Sequence, residues 1–98
     1  MIKHIVMWKL KNPREAARFK AQLDTCHGLV PGMLEFEVAT RTAGLEAICD
    51  VVLYSIFNDA SALAAYQQHP HHQSVSKALG ELRETRSVID YPITGDTP

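Results

Sequence analysis

The chain has 98 residues and a formal net charge of −1, which makes one domain able to bury its own core yet small enough to gain appreciably from pairing with a second copy. Lys and Arg are scattered without a basic stripe, which argues against nucleic acid and against membrane surfaces as partners. No apolar run reaches the roughly 20 residues that cross a bilayer, and Cys26 and Cys49 form no C-x-x-C pair, so a cytoplasmic protein with two reduced core thiols is expected.

Residues 2 to 10 alternate as a strand, with Ile2, His4, Val6, Trp8 and Leu10 on one side and Lys3, Ile5, Met7 and Lys9 on the other. His4 therefore shares a face with large apolar groups. Asn12 is placed to cap a helix with Pro13 in its first turn, and Ala16, Phe19, Leu23 and Cys26 form the apolar stripe that Gly28 ends. After Pro31-Gly32, the set Leu34, Phe36, Val38 alternates with Glu35, Glu37, Ala39 as a second strand, followed by a loop around Gly44. A third strand is predicted over 47–57, with Cys49, Val51 and Leu53 on one face and Ile48, Asp50, Val52, Tyr54 and Ile56 on the other.

Asn58 and Asp59 offer an N-cap for a helix bearing Leu63 and Tyr66. Pro70 suits the first position of a further helical stretch, because its fixed φ is pre-organised and its missing N–H would have found no partner. The stripe Val75, Leu79, Leu82, stepped back by three, puts His72 on the buried face and His71 toward solvent. Residues 87–91 make the last strand. The domain is expected to span 1–93, with 94–98 a short C-terminal tail that is either loose or reaches toward a partner.

The order β-α-β-β-α-β predicts an α+β ferredoxin-like domain, a four-stranded antiparallel sheet with helices on one face. The third strand is apolar on both faces, whereas helices cover only one. A second sheet is the expected cover, giving a homodimeric α+β barrel with Val52, Tyr54 and Ile56 in a sheet-to-sheet interface and Asp50 hydrogen-bonding across it.

The segment Tyr66-Gln67-Gln68-His69-Pro70-His71-His72 is the densest cluster of protonatable groups in the chain. Proton abstraction beside a carbonyl needs a base whose pKa lies near working pH, which an imidazole supplies, and a tyrosine hydroxyl can donate to the oxygen on which charge develops. His72 and Tyr66 are the candidate acid/base pair, converging only if the chain bends between them. His4 and Trp8 are candidates to line a ligand cavity between sheet and helices. Each has a simpler reading: His4 and His72 as hydrogen-bonded core histidines, Tyr66 as a half-buried helix-end residue with a wet hydroxyl, Trp8 as core, and His69 as a helix-end group serving free backbone positions that could also touch a ligand. His69 and His72 are three apart, but only His4 offers a third ligand, so no metal site is expected. The phosphate-loop, nucleophile-elbow and H-E-x-x-H patterns are absent from the sequence.

The opening Ile2-Lys3-His4-Ile5-Val6, the strand Val52-Leu53-Tyr54-Ser55-Ile56-Phe57, the junction Tyr66-x-x-His69-Pro70-x-His72 and the closing Val88-Ile89-Asp90-Tyr91 together resemble the stress-responsive α/β-barrel (Dabb) domain family over nearly the whole chain. The resemblance implies a dimeric α+β barrel, and most members have no assigned activity. A similar branch, the olivetolic acid cyclases, closes polyketides by aldol condensation without metal or organic cofactor. The resemblance matches its catalytic pair to Tyr66 and His72 and a pocket histidine to His4. A further pocket histidine falls at Val51, where this chain departs from the pattern. The expected function is binding of a small apolar organic ligand in a helix-side cavity. The alternatives are a cofactor-free cyclase or lyase acting on a carbonyl compound, a monooxygenase-like barrel, and a non-catalytic stress-related interaction module.

Overall fold

A computed structural model describes residues 1–93; the expected tail, 94–98, lies outside the described residues. The order is β1 (Ile2–Leu10), a 3-10 turn (Pro13–Glu15), α1 (Ala16–Asp24), β2 (Met33–Thr40), β3 (Val51–Phe57), α2 (Ala60–Gln68), α3 (Pro70–Gly80) and β4 (Arg83–Pro92). The strands form one antiparallel sheet ordered β2-β3-β1-β4. This is the expected ferredoxin-like arrangement, with the second helical segment divided in two.

Local chemistry accounts for the element ends. The Asn12 side chain accepts from Arg14 N–H to open the 3-10 turn, the Asp59 carboxylate accepts from Ala62 N–H at α2, and Gly28 takes the left-handed φ of 78° that closes the turn after α1. Gly32 lies so close to Ala62 that a Cβ there would collide with it, which lets the start of β2 pack directly on α2.

The even-numbered side of β1 and the odd-numbered side of β3 carry the core, joined by Phe19 and Leu23 of α1, Leu63 and Tyr66 of α2, and Val75 and Leu79 of α3. Phe19 and Phe57 are completely buried; truncating either to Ala is expected to cost about 3–5 kcal/mol through lost contacts and the cavity left behind. On the opposite side of the sheet, Ile5 stands between Tyr54 and Ile89, and Met7 between Val52 and Ser87. The helices pack on the other face, leaving Ile89 58% exposed and Met7 37% exposed.

Three sequence expectations change. β3 begins at Val51 rather than at 47, because Asp50 is buried and turned inward: its N–H donates to the Trp8 carbonyl at 2.8 Å, and its carboxylate accepts from Leu10 N–H at 2.8 Å and from Arg41 Nε at 3.1 Å. Asp50 is thus engaged within its own chain, not directed across the open face. Leu34 leaves the apolar side of β2, since a bulge between Met33 and Glu35 makes it the extra residue and leaves it half exposed. β4 starts at Arg83, four residues earlier than alternation alone suggested, because pairing with β1 extends to Leu10.

Candidate functional site

The bend on which convergence of the candidate pair Tyr66 and His72 depends lies at His69. A residue before proline is pushed out of the helical region by the pyrrolidine ring, and His69 has φ −60° and ψ 132°, ending α2 and capping α3. Its ring Nδ1 accepts from His71 N–H at 3.1 Å. The corner folds the first turn of α3 back over the last turn of α2. Tyr66 and His72 meet there, ring centroids 4.4 Å apart.

His4 comes up from β1 beneath this pair. Its ring sits edge-on to Tyr66 and to Phe57, each at 6.3 Å. Together His4, Tyr66 and His72 line a partly enclosed cavity of about 40 Å³, with Trp8 and Val6 from β1, Val75, Ser76 and Leu79 from α3, and Arg83 and Arg86 from β4. Its volume holds a few waters; on β4 the helix-side residue Val88 is 48% exposed. Val51 is buried among core residues away from this cavity, and His69 stands at the helix corner outside its lining. Among the described residues no group of three or more metal-ligating side chains converges.

The polar groups are differently prepared. His4, 2% exposed, has Nδ1 at 2.5 Å from the Asp90 carboxylate. The Nδ1–H donates to that carboxylate, which orients the ring. The Nδ1–H of His72 donates to the Gln67 carbonyl at 3.2 Å, which leaves Nε2 as the acceptor. Burial lowers the His72 pKa below the ordinary imidazole value; the Gln67 bond opposes the shift, while the charges of His4, Arg86 and His69 add to it. His72 is half-buried rather than fully on the core side.

Tyr66 is completely buried, not half-exposed with a wet hydroxyl, and that hydroxyl has no hydrogen-bond partner among the described residues. Burial first, and then the adjacent Cys26 thiol, push its pKa well above the usual phenol value. Burial likewise raises the Cys26 thiol, against opposing contacts with Thr25 and Tyr66. His71, expected to be solvated, is exposed but shares a 2.8 Å hydrogen bond with the Thr25 hydroxyl, tying α3 to the end of α1.

Sequence reasoning did not single out Asp90, Arg83 or Arg86. Asp90 carried a signal, a carboxylate in the apolar run Val88-Ile89-Asp90-Tyr91, but its partner is set by the β1–β4 register, which pairs it with His4. The arginines are brought to the cavity by a bulge described below.

The chain resembles several solved structures over nearly its full length. A dimeric ferredoxin-like protein of unknown function from Bacteroides fragilis is 26% identical with a TM-score of 0.78, covering 94% of this chain and 95% of that one. A Dabb family protein from Mesorhizobium loti, also 26% identical, has a TM-score of 0.77 and coverage of 96% and 97%. A hydroxynitrile lyase from Passiflora edulis shares the fold at 18% identity, with a TM-score of 0.78 and coverage of 99% and 96%. No curated protein matches the chain by sequence. No helix among the described residues is long and apolar enough to cross a membrane. The profile of the stress-responsive A/B barrel domain matches residues 2–93, and with the four-stranded sheet and helix layer just described the chain belongs to that family.

Proposed function

We propose that this protein is a cytoplasmic homodimer that binds a small carbonyl compound in the helix-side cavity and moves a proton on it, as a cofactor-free cyclase or lyase would. The observation that carries the reading is the convergence of His4, Tyr66 and His72 on one cavity, with Asp90 behind His4. His72 Nε2, kept unprotonated at neutral pH by its lowered pKa, accepts the proton from the carbon beside the carbonyl. The electron pair moves toward the carbonyl oxygen, where the Tyr66 hydroxyl donates a hydrogen bond and stays protonated because its pKa is raised. His4, held by Asp90, orients the ligand through Nε2. The carbanion then adds to a second carbonyl of the same molecule or expels a leaving group, and His72 returns its proton to the oxygen that has become basic. The Passiflora enzyme supports the reading only as an analogy, since a shared fold does not fix chemistry.

The dimer is part of the same proposal. Its support is the apolar open face of Ile5, Met7, Val52, Tyr54, Ile56 and Ile89, together with the dimeric state of the Bacteroides relative.

The test is exchange of α-protons in D₂O on small methyl ketones and β-diketones, followed by NMR. The protein should accelerate exchange, and His72→Gln and Tyr66→Phe should each remove most of the acceleration. Undiminished exchange by His72→Gln would show that the assigned base is wrong. No acceleration with any compound would leave ligand binding without turnover.

A further inference from the structure

β4 carries an irregularity with a consequence for the cavity. Lys9 lies opposite Thr85 while Leu10 lies opposite Arg83, so Glu84 is an extra residue in β4. In a regular strand, residues three apart point to opposite faces. Across this bulge they do not. Arg86 is paired with Trp8 and Arg83 with Leu10, both buried residues of the helix side, so both arginines face the helices. Bulges re-aim side chains in this way near functional sites.

Both guanidinium-bearing residues line the cavity, opposite Ser76 and Leu79 of α3. Neither makes an ion pair or hydrogen bond with a described residue, and no carboxylate lines the cavity to balance them. Asp90, on the same face of β4, is already engaged by His4. Two cations at the edge of a cavity otherwise lined by apolar and uncharged polar groups and by the two histidines, close enough for Arg86 to influence His72, form a half-built recognition site.

We infer that Arg83 and Arg86 bind the carboxylate of a small organic acid at the mouth of the cavity between α3 and the sheet. The inference rests on the cavity being the ligand site and deepens that reading by naming the ligand class. A planar guanidinium matches a carboxylate with two parallel N–H···O bonds, and a second arginine adds a further charge-assisted contact. The carboxylate held at β4 would direct the remainder of the ligand toward His4 and His72.

The experiment is a titration of the isotope-labelled full-length protein with benzoate and, separately, with methyl benzoate, read from backbone amide shifts. Benzoate should move amides around Ser76 and Arg86 and should bind at least about tenfold more tightly than the ester. Arg86→Gln and Arg83→Gln, both changes at exposed side chains, should each weaken benzoate several-fold and leave the ester unchanged, while Arg86→Lys keeps part of the preference. Equal affinity for acid and ester, shifts confined to another part of the molecule, or no shift by benzoate at tens of millimolar would overturn the assignment. The outcome is separable from the catalytic proposal. Benzoate preference without α-proton exchange removes the chemistry and keeps the anion site, and exchange unaffected by both arginine changes, with no benzoate preference, does the reverse.

Discussion

His4 and Asp90 are 86 residues apart in sequence and stand directly opposite each other on β1 and β4, with Nδ1 of the imidazole 2.5 Å from the carboxylate. The pair fixes the orientation of the His4 ring, with Nδ1–H donating to the carboxylate. Replacing Asp90 by Asn keeps the shape but lets the amide donate, which favours the opposite tautomer. Proton exchange on a bound carbonyl compound should fall by about tenfold or more in Asp90→Asn, with ligand affinity little changed, because the carboxylate positions and does not bind. Comparing exchange rates and amide-shift titrations of the two proteins measures both quantities.

His72 gives the fold a pH dependence of definite sign. Its pKa is lower in the folded protein than in the unfolded chain, so between those two values the unfolded state binds more protons and the stability from this group rises with pH. The contribution is fully present above the ordinary imidazole value, falls as pH drops through it, and levels off below the folded value. Urea midpoints measured between pH 8 and pH 5 should therefore decline less steeply in His72→Gln than in the parent; identical slopes would mean that burial of this ring is not coupled to folding.

Tyr66 separates stability from chemistry. Its hydroxyl is buried without a hydrogen-bond partner of ordinary geometry among the described residues, and an unsatisfied buried polar group costs roughly 1–3 kcal/mol. Tyr66→Phe should raise the unfolding free energy by about 1 kcal/mol, stabilising the fold, since the ring contacts with His72, Phe57 and Phe36 remain. The same change should remove most catalysed proton exchange. A destabilised Phe variant in denaturant unfolding would indicate that the hydroxyl has a partner in solution.

Ile89 tests the sheet-to-sheet interface. It is 58% exposed in the single chain, so Ile89→Glu should leave the fold of the protomer intact, by circular dichroism. In a face-to-face dimer it would bury a carboxylate among apolar groups. Sedimentation should show a dimer for the parent and a monomer for Ile89→Glu. A dimer that persists in the variant would move the interface to a different surface.

Much of this architecture is already legible in the chain, because alternation in β1 and the apolar stripes of α1 and α3 are local patterns with a fixed period. The Pro70 signal placed a helix start, and the steric effect of proline on His69 produced the corner that joins Tyr66 to His72. The two-sided apolarity of Val51 to Phe57 likewise marked a sheet with an apolar face that its own helices do not cover. Asp50 could not be read in this way: its alternation phase assigned it to the open face, while the bonds to Leu10 and Arg41 that turn it inward come from distant segments.

The sequence by itself determined the element types, the helix caps and the cluster of candidate groups, since backbone propensity and side-chain periodicity act over a few residues. Tertiary structure decided which of those groups share a cavity. Strand register set Asp90 against His4, a bulge at Glu84 turned Arg83 and Arg86 to the same side, and packing of α2 buried Tyr66. Register and bulges depend on hydrogen bonds between segments far apart in the chain, and no local pattern encodes their phase.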